Sequence, residues 1–106
     1  MSEITIKKED DGQRGRYVVS VGGIDAEGEL VFTHRGANLI SADHTVVPNS
    51  LKGTGAAAAL VDYLIADARA HAFKIIPYCP YVRARYETHP EWQDVMTVAP
   101  GVIPLR

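Results

Sequence analysis

The hydrophobic period of this chain changes once, and the change falls on a pair of glycines. Before Val47 the apolar residues alternate, as strands with one buried face require. From Gly55 onward they recur at three- and four-residue steps, as an amphipathic helix requires. Four runs make up the alternating part. Ile4-Thr5-Ile6-Lys7 is short and ends at the turn signal Asp10-Asp11-Gly12. Residues 16–21 put Tyr17, Val19 and Val21 on one face and stop at Gly22-Gly23, and residues 29–34 point Leu30 and Phe32 one way. Residues 39–47 put Ile40, Ala42, His44 and Val46 on one side and Ser41, Asp43, Thr45 and Val47 on the other, and Pro48 ends the run. Short turns between these runs favour an antiparallel meander.

The helical part opens with Ala56, Leu60, Leu64 and Ala68, flanked by Ala57, Val61, Ile65 and Ala72, and predicts a helix of about 16–18 residues. Residues 74–79 read as a buried strand whose pairing Pro77 and Pro80 limit. A second helix is expected over 81–88, followed by His89-Pro90-Glu91-Trp92 as a plug packing under Tyr81. Residues 95–106, with two prolines and a glycine, read as a tail or an edge strand. The order β-β-β-β-α-β-α predicts an α+β fold, with helices laid on an early sheet.

One domain over 1–106 is expected, because a chain of this length buries about 65% of its extended surface, enough for one core. At 46% hydrophobic and 23% charged, it is neither disordered nor collagen-like. No apolar run reaches the roughly 18 residues of a membrane span, and the first residues lack the apolar core of a secretion signal. A net charge of −2 disfavours a broad nucleic-acid-binding face. The single cysteine excludes an intrachain disulfide and a cysteine-rich zinc framework. His34, His44, His71 and His89 show no ligand spacing, so no metal is expected. These features suit a cytoplasmic protein.

The most informative segment is Val46-Val47-Pro48-Asn49-Ser50-Leu51-Lys52-Gly53-Thr54-Gly55-Ala56-Ala57. A strand gives way to a short glycine-bearing loop and then a long helix. Backbone N–H groups converge at the positive end of such a helix and favour an anion. The same spacing is also compatible with an ordinary strand-to-helix turn. It is neither a Walker loop, lacking G-x-x-x-x-G-K-[ST], nor a three-glycine dinucleotide fingerprint.

Over about 43–92 the chain resembles the small single-domain members of the GCN5-related N-acetyltransferase (GNAT) superfamily, the YjdJ-type branch with N-acetyltransferase domain-containing protein 1-like members. Three separated motifs carry the resemblance: Asp43-His44-Thr45-Val46-Val47-Pro48 with Leu51-Lys52-Gly53-Thr54-Gly55-Ala56-Ala57, then Lys74-Ile75-Ile76-Pro77-Tyr78-Cys79-Pro80-Tyr81-Val82, then Tyr86-Glu87-Thr88-His89-Pro90-Glu91-Trp92. The resemblance implies a mostly antiparallel sheet with a splayed strand pair, and an acyl-CoA loop of the form Q/R-x-x-G-x-G/A. Lys52 then stands at the Gln/Arg position, Gly55 at the glycine and Ala57 at the last small residue. Lysine departs from the pattern, keeping the charge without the planar fork of arginine. The resemblance further implies that Val46 and Val47 pair through their backbones with the pantetheine arm, and that Gly53, Thr54 and Ala56 complete the phosphate cradle.

The implied activity is transfer of an acetyl group from acetyl-CoA to an amine acceptor, which needs a neutral amine, a polarised thioester and a stabilised leaving thiolate. Cys79 has two readings, an acetyl-pocket thiol able to act as nucleophile or a small core residue. His44 is a candidate general base or a hydrogen-bonded sheet residue. Tyr86 is a candidate acid near the CoA sulfur or an aromatic core residue. Arg83 and Arg85 are solvated helix charges or partners of the CoA 3′-phosphate. The competing function is an acyl-CoA-binding or sensing module without turnover.

Overall fold

The computed structural model describes residues 3–105. Five strands form one sheet in the order β1-β2-β3-β4-β5: β1 Ile4–Asp10, β2 Arg14–Val21, β3 Glu27–Gly36, β4 Leu39–Val46 and β5 Lys74–Pro77. The first four pair antiparallel with their sequence neighbours, and β5 runs parallel to β4. A parallel neighbour needs a crossover, and helix α1, Ala56–His71, supplies it. Helix α2, Pro80–Thr88, follows β5, and a 3-10 turn covers Pro90–Val95. The α+β fold and element order expected from the sequence are therefore those observed.

The inner face of the sheet carries Tyr17, Val19, Leu30, Phe32, Ile40 and Ala42. They join Leu60, Val61 and Leu64 of α1 and Val82 and Tyr86 of α2 in one buried cluster. The alanines of α1 let it approach closely, and Asp62 of α1 pairs with Arg85 of α2 at 3.3 Å. On the outer face Arg16 bridges Glu9 at 2.7 Å and Glu29 at 2.8 Å beside apolar Val18 and Val31. One polar cluster lies inside: Asp67 on α1 accepts from Tyr17 Oη at 2.7 Å, Lys8 Nζ at 2.8 Å and His71 Nδ1 at 2.8 Å.

Residues 95–105 are mostly irregular. Met96 makes a single parallel bridge with Ile75, and the Thr97 N–H donates to the Ile75 carbonyl at 3.1 Å. The segment thus covers the free edge of β5 without becoming a strand. Trp92 is buried, stacked on His89 with ring centroids 4.4 Å apart and flanked by the Arg85 guanidinium. Among the described residues, no helix is long and apolar enough to cross a membrane.

Candidate functional site

β5 pairs with β4 only between Leu39↔Lys74 and Ala42↔Pro77. Beyond Ala42 the two chains part. Pro77 has no N–H to give, and the Tyr78 N–H turns back to the Ile76 carbonyl at 2.9 Å. The Cys79 N–H makes the last link, to the Ala42 carbonyl at 2.8 Å. Arg83 of α2 then donates to the carbonyls of Pro77 at 3.1 Å and Tyr78 at 2.6 Å, satisfying groups that a continuing strand would have used. Residues 43–46 of β4 are left without a strand on that side. This fork is the splayed pair that the resemblance implied, and Arg83, one of the two arginines weighed for the CoA 3′-phosphate, is spent on holding it.

The faces of β4 differ from those read off simple alternation. Phe32 pairs with Ala42 and Val31 with His44, so Asp43 is an extra residue in a β-bulge. A single inserted residue exchanges the faces of everything after it. Ile40 and Ala42 point into the core as expected, but His44 and Val46 are exposed on the outer face and Thr45 turns inward. Thr45 Oγ1 lies 3.4 Å from Cys79 Sγ. The expectation that His44 shares a face with Ala42 is thereby corrected. The bulge also adds Thr45 to the site, a residue that alternation had turned the other way.

Cys79 is 2% exposed and sits at the N-cap of α2, on the inner side of the fork. His44 lies on the other side of β4, so the two candidates for chemistry flank the strand instead of touching. Tyr86 is buried in the core, and its hydroxyl donates to the Val98 carbonyl at 2.7 Å. Burial pushes its pKa up. Its proton is therefore committed to a structural bond.

The loop after β4 is held from below. Leu51, in the short 3-10 turn Asn49–Leu51, is buried and anchors it. The Thr54 hydroxyl donates to the Leu51 carbonyl and accepts from the Ala56 N–H at 3.2 Å, fixing the entry to α1. Gly53 and Gly55 adopt left-handed backbone, with φ of 78° and 86°, which side chains with a Cβ resist. Gly55 is the N-cap and offers no side chain, and the N–H groups of Ala57 and Ala58 find no acceptor among the described residues. These amides border a cavity of about 320 Å³ lined by Val47, Lys52, Gly53, Gly55, Ala57 and Tyr81. An open cavity at an uncapped helix N-terminus, flanked by a lysine, has the make-up of a phosphate cradle.

The family described as GCN5-related N-acetyl-transferase matches residues 16–95. The chain belongs to that family. The match spans the fork, the loop, Cys79 and Tyr86, and it leaves β1 and the segment after Val95 outside. No curated protein matches the chain. Membership makes this an acetyltransferase fold. Within it, Val46 and Val47 lie where the unpaired edge of β4 meets the loop, and Arg85, the other arginine weighed for CoA, is paired with Asp62.

Proposed function

We propose that this chain is an acetyl-CoA-dependent N-acetyltransferase acting as one acyl-CoA-binding unit over residues 1–106. One observation carries the reading: the unpaired edge of β4 leads directly into a loop whose helix amides lack acceptors. A ligand with an extended amide-bearing arm and a pyrophosphate satisfies both sets of groups at once. The backbones of Val46 and Val47 would hold the pantetheine arm, and Gly53, Gly55, Ala57 and Ala58 the pyrophosphate. Lys52 supplies the cation, Thr54 and Ala56 keep the loop in shape, and Tyr81 walls the cavity.

The acyl end falls at Thr45 and Cys79, where the fork begins. The acceptor amine enters the open gap of the fork to reach the acyl carbon, and His44, exposed on the outer face of the unpaired β4 edge, takes its proton through a water. The amine nitrogen bonds to the carbonyl carbon, the C–S bond breaks, and the thiolate leaves and is protonated by solvent. Transfer is direct, because His44 and Cys79 lie on opposite sides of β4 and the thiol has Thr45 as its neighbour, not a base.

Calorimetry with acetyl-CoA, followed by turnover with a panel of amines, tests the reading. Binding without turnover would leave an acyl-CoA-binding module in its place. Lys52→Ala should weaken acetyl-CoA binding by about 1 kcal/mol, roughly five-fold, the scale of one partly exposed charged contact. Cys79→Ala should keep acetyl-CoA affinity within several-fold and still turn over. Mass spectrometry of the parent mixed with acetyl-CoA should find no acetylated protein that disappears in Cys79→Ala. Such a species, discharged by added amine, would establish the covalent route instead.

A further inference from the structure

The bulge at Asp43 carries a charged clamp on the outer face of the sheet. A bulge leaves its extra residue without a partner, and a strand can lose it by slipping one place along its neighbour. Here three side chains hold that residue. The Asp43 carboxylate accepts from Thr33 Oγ1 on β3 with one oxygen, and from Ser41 Oγ on β4 at 2.7 Å with the other. The Arg35 guanidinium of β3 stands 3.9 Å from the same carboxylate. Ser41 is fully buried, so its hydroxyl depends on this carboxylate for an acceptor.

The clamp reaches across the fork. Arg35 Nε donates to Ser41 Oγ at 2.9 Å, and its guanidinium lies over the Tyr78 ring, 5.9 Å from the centroid. Tyr78 directly precedes Cys79, and Arg83 holds its carbonyl at 2.6 Å. Asp43 therefore fixes one prong through the bulge and, through Arg35, touches the other beside the thiol. The bulge also decides which side chain of β4 meets that thiol. With it, His44 stands opposite Val31 and Thr45 opposite inward-facing Leu30. Without it, plain alternation would set His44 opposite Leu30, pointing into the core, and turn Thr45 away from Cys79.

We infer that Asp43 is a positioning residue for acyl transfer, whose clamped carboxylate holds the bulge that keeps Thr45 against Cys79 and His44 on the outer face. The catalytic part of this inference rests on the acyltransferase reading, and the pinning of the bulge stands on the contacts alone. Both oxygens of Asp43 are already engaged, which suits a support and not a base.

Asp43→Ala, Asp43→Asn and Arg35→Met test it in the full chain. In Asp43→Ala the NMR contact between the Thr45 methyl and the Cys79 β protons should disappear, and the cross-strand contact of His44 should pass from Val31 to Leu30. With acetyl-CoA and the fastest acceptor among phenethylamine, spermidine and lysine, kcat should fall by about ten- to a hundred-fold, the scale of a misplaced reacting group. Acetyl-CoA affinity should stay within several-fold, because buried Leu51 and the Thr54 bonds anchor the loop separately. Asp43→Asn should recover most of the lost kcat, since its oxygen can accept from Ser41 and its amide can donate to Thr33. Arg35→Met, at a side chain 45% exposed, removes the cation without emptying the core and should lower kcat by a smaller factor. A surviving Thr45–Cys79 contact or parent-like kcat in Asp43→Ala would overturn the positioning role, as would an affinity loss as large as the kcat loss. Should Asp43→Ala lack a cooperative thermal transition, parent-like kcat in Arg35→Met would do so. A parent that binds acetyl-CoA without turnover would overturn the acyltransferase reading instead, and the NMR contacts would still decide whether Asp43 holds the bulge.

Discussion

Gly55→Val is expected to abolish measurable acetyl-CoA binding in calorimetry while the protein keeps a cooperative thermal transition. Gly55 sits at φ 86° as the N-cap of α1, the point where a phosphate would come closest to the helix amides. A Cβ there meets only Ile4 Cδ1, at 4.0 Å, so the interior does not clash with it. Gly55 itself lines the cavity beside the unpaired amides of Ala57 and Ala58, so bulk at this position crowds the place a phosphate would take. The left-handed backbone costs a β-branched residue about 1–3 kcal/mol, which lowers stability without destroying a folded domain. Gly55→Ala, with less bulk in the same strained position, separates the two effects: it should lose a similar share of stability but less affinity. Parent-like binding by Gly55→Val would refute the phosphate cradle.

Asp67→Ala should produce the largest loss of stability, on the order of 2–4 kcal/mol, with a thermal midpoint lower by roughly 10–20 °C. Asp67 is 7% exposed at its side chain and holds β1, β2 and α1 together through Lys8, Tyr17 and His71. Removing it leaves the fully buried Tyr17 hydroxyl without an acceptor and Lys8 without its counter-charge. Burial acts to raise the pKa of this carboxyl, but the hydrogen bonds from Lys8 and Tyr17, aided by their charge environment, outweigh it and hold it below the usual 3.8. A carboxyl whose folded pKa is depressed contributes its full stability above its unfolded pKa and loses it as pH falls toward the folded value. The stability gap between parent and Asp67→Ala, followed by chemical denaturation, should therefore be constant above about pH 4 and narrow below it. A gap that widened on acidification would contradict the ionised network.

Most of the fold was legible because its signals are local. The alternation of Tyr17, Val19 and Val21, and the three- and four-residue steps from Ala56 to Ala68, each describe one face of one element. The sequence also marked the loop, since paired glycines between a strand and an apolar helix admit few geometries. What it hid were features set by partners distant in the chain. The bulge at Asp43 is defined by which residues of β3 stand opposite, and alternation alone carries no sign of it. That one residue moved His44 outward and brought Thr45 to Cys79. β5 read as reaching Cys79 with its pairing limited by Pro77, and it ends at Pro77, where the missing N–H and the turned-back Tyr78 N–H stop the ladder. What the sequence did not mark is that Arg83 of α2 takes up the carbonyls left over. The aromatic spacing of Tyr86 was equally compatible with a cleft or a core. Only the position of Val98 decided where its hydroxyl bonds.

The fork has a consequence for the order in which the molecule comes together. β1 to β4 are joined by hairpin-like connections, so their pairing closes short loops and can begin early. The β4–β5 pair must wait for the whole of α1 to be laid across the sheet, which makes it the contact of greatest sequence separation in the ladder. A molecule lodged between the unpaired edge of β4 and the head of α1 clasps this last-formed joint. Its effect falls on how slowly the native state comes apart, while the early collapse of the meander proceeds at its own pace. The occupied protein is then protected chiefly by a longer lifetime, and the first opening of the empty one is concentrated at the short β5 edge and the residues that lie against it.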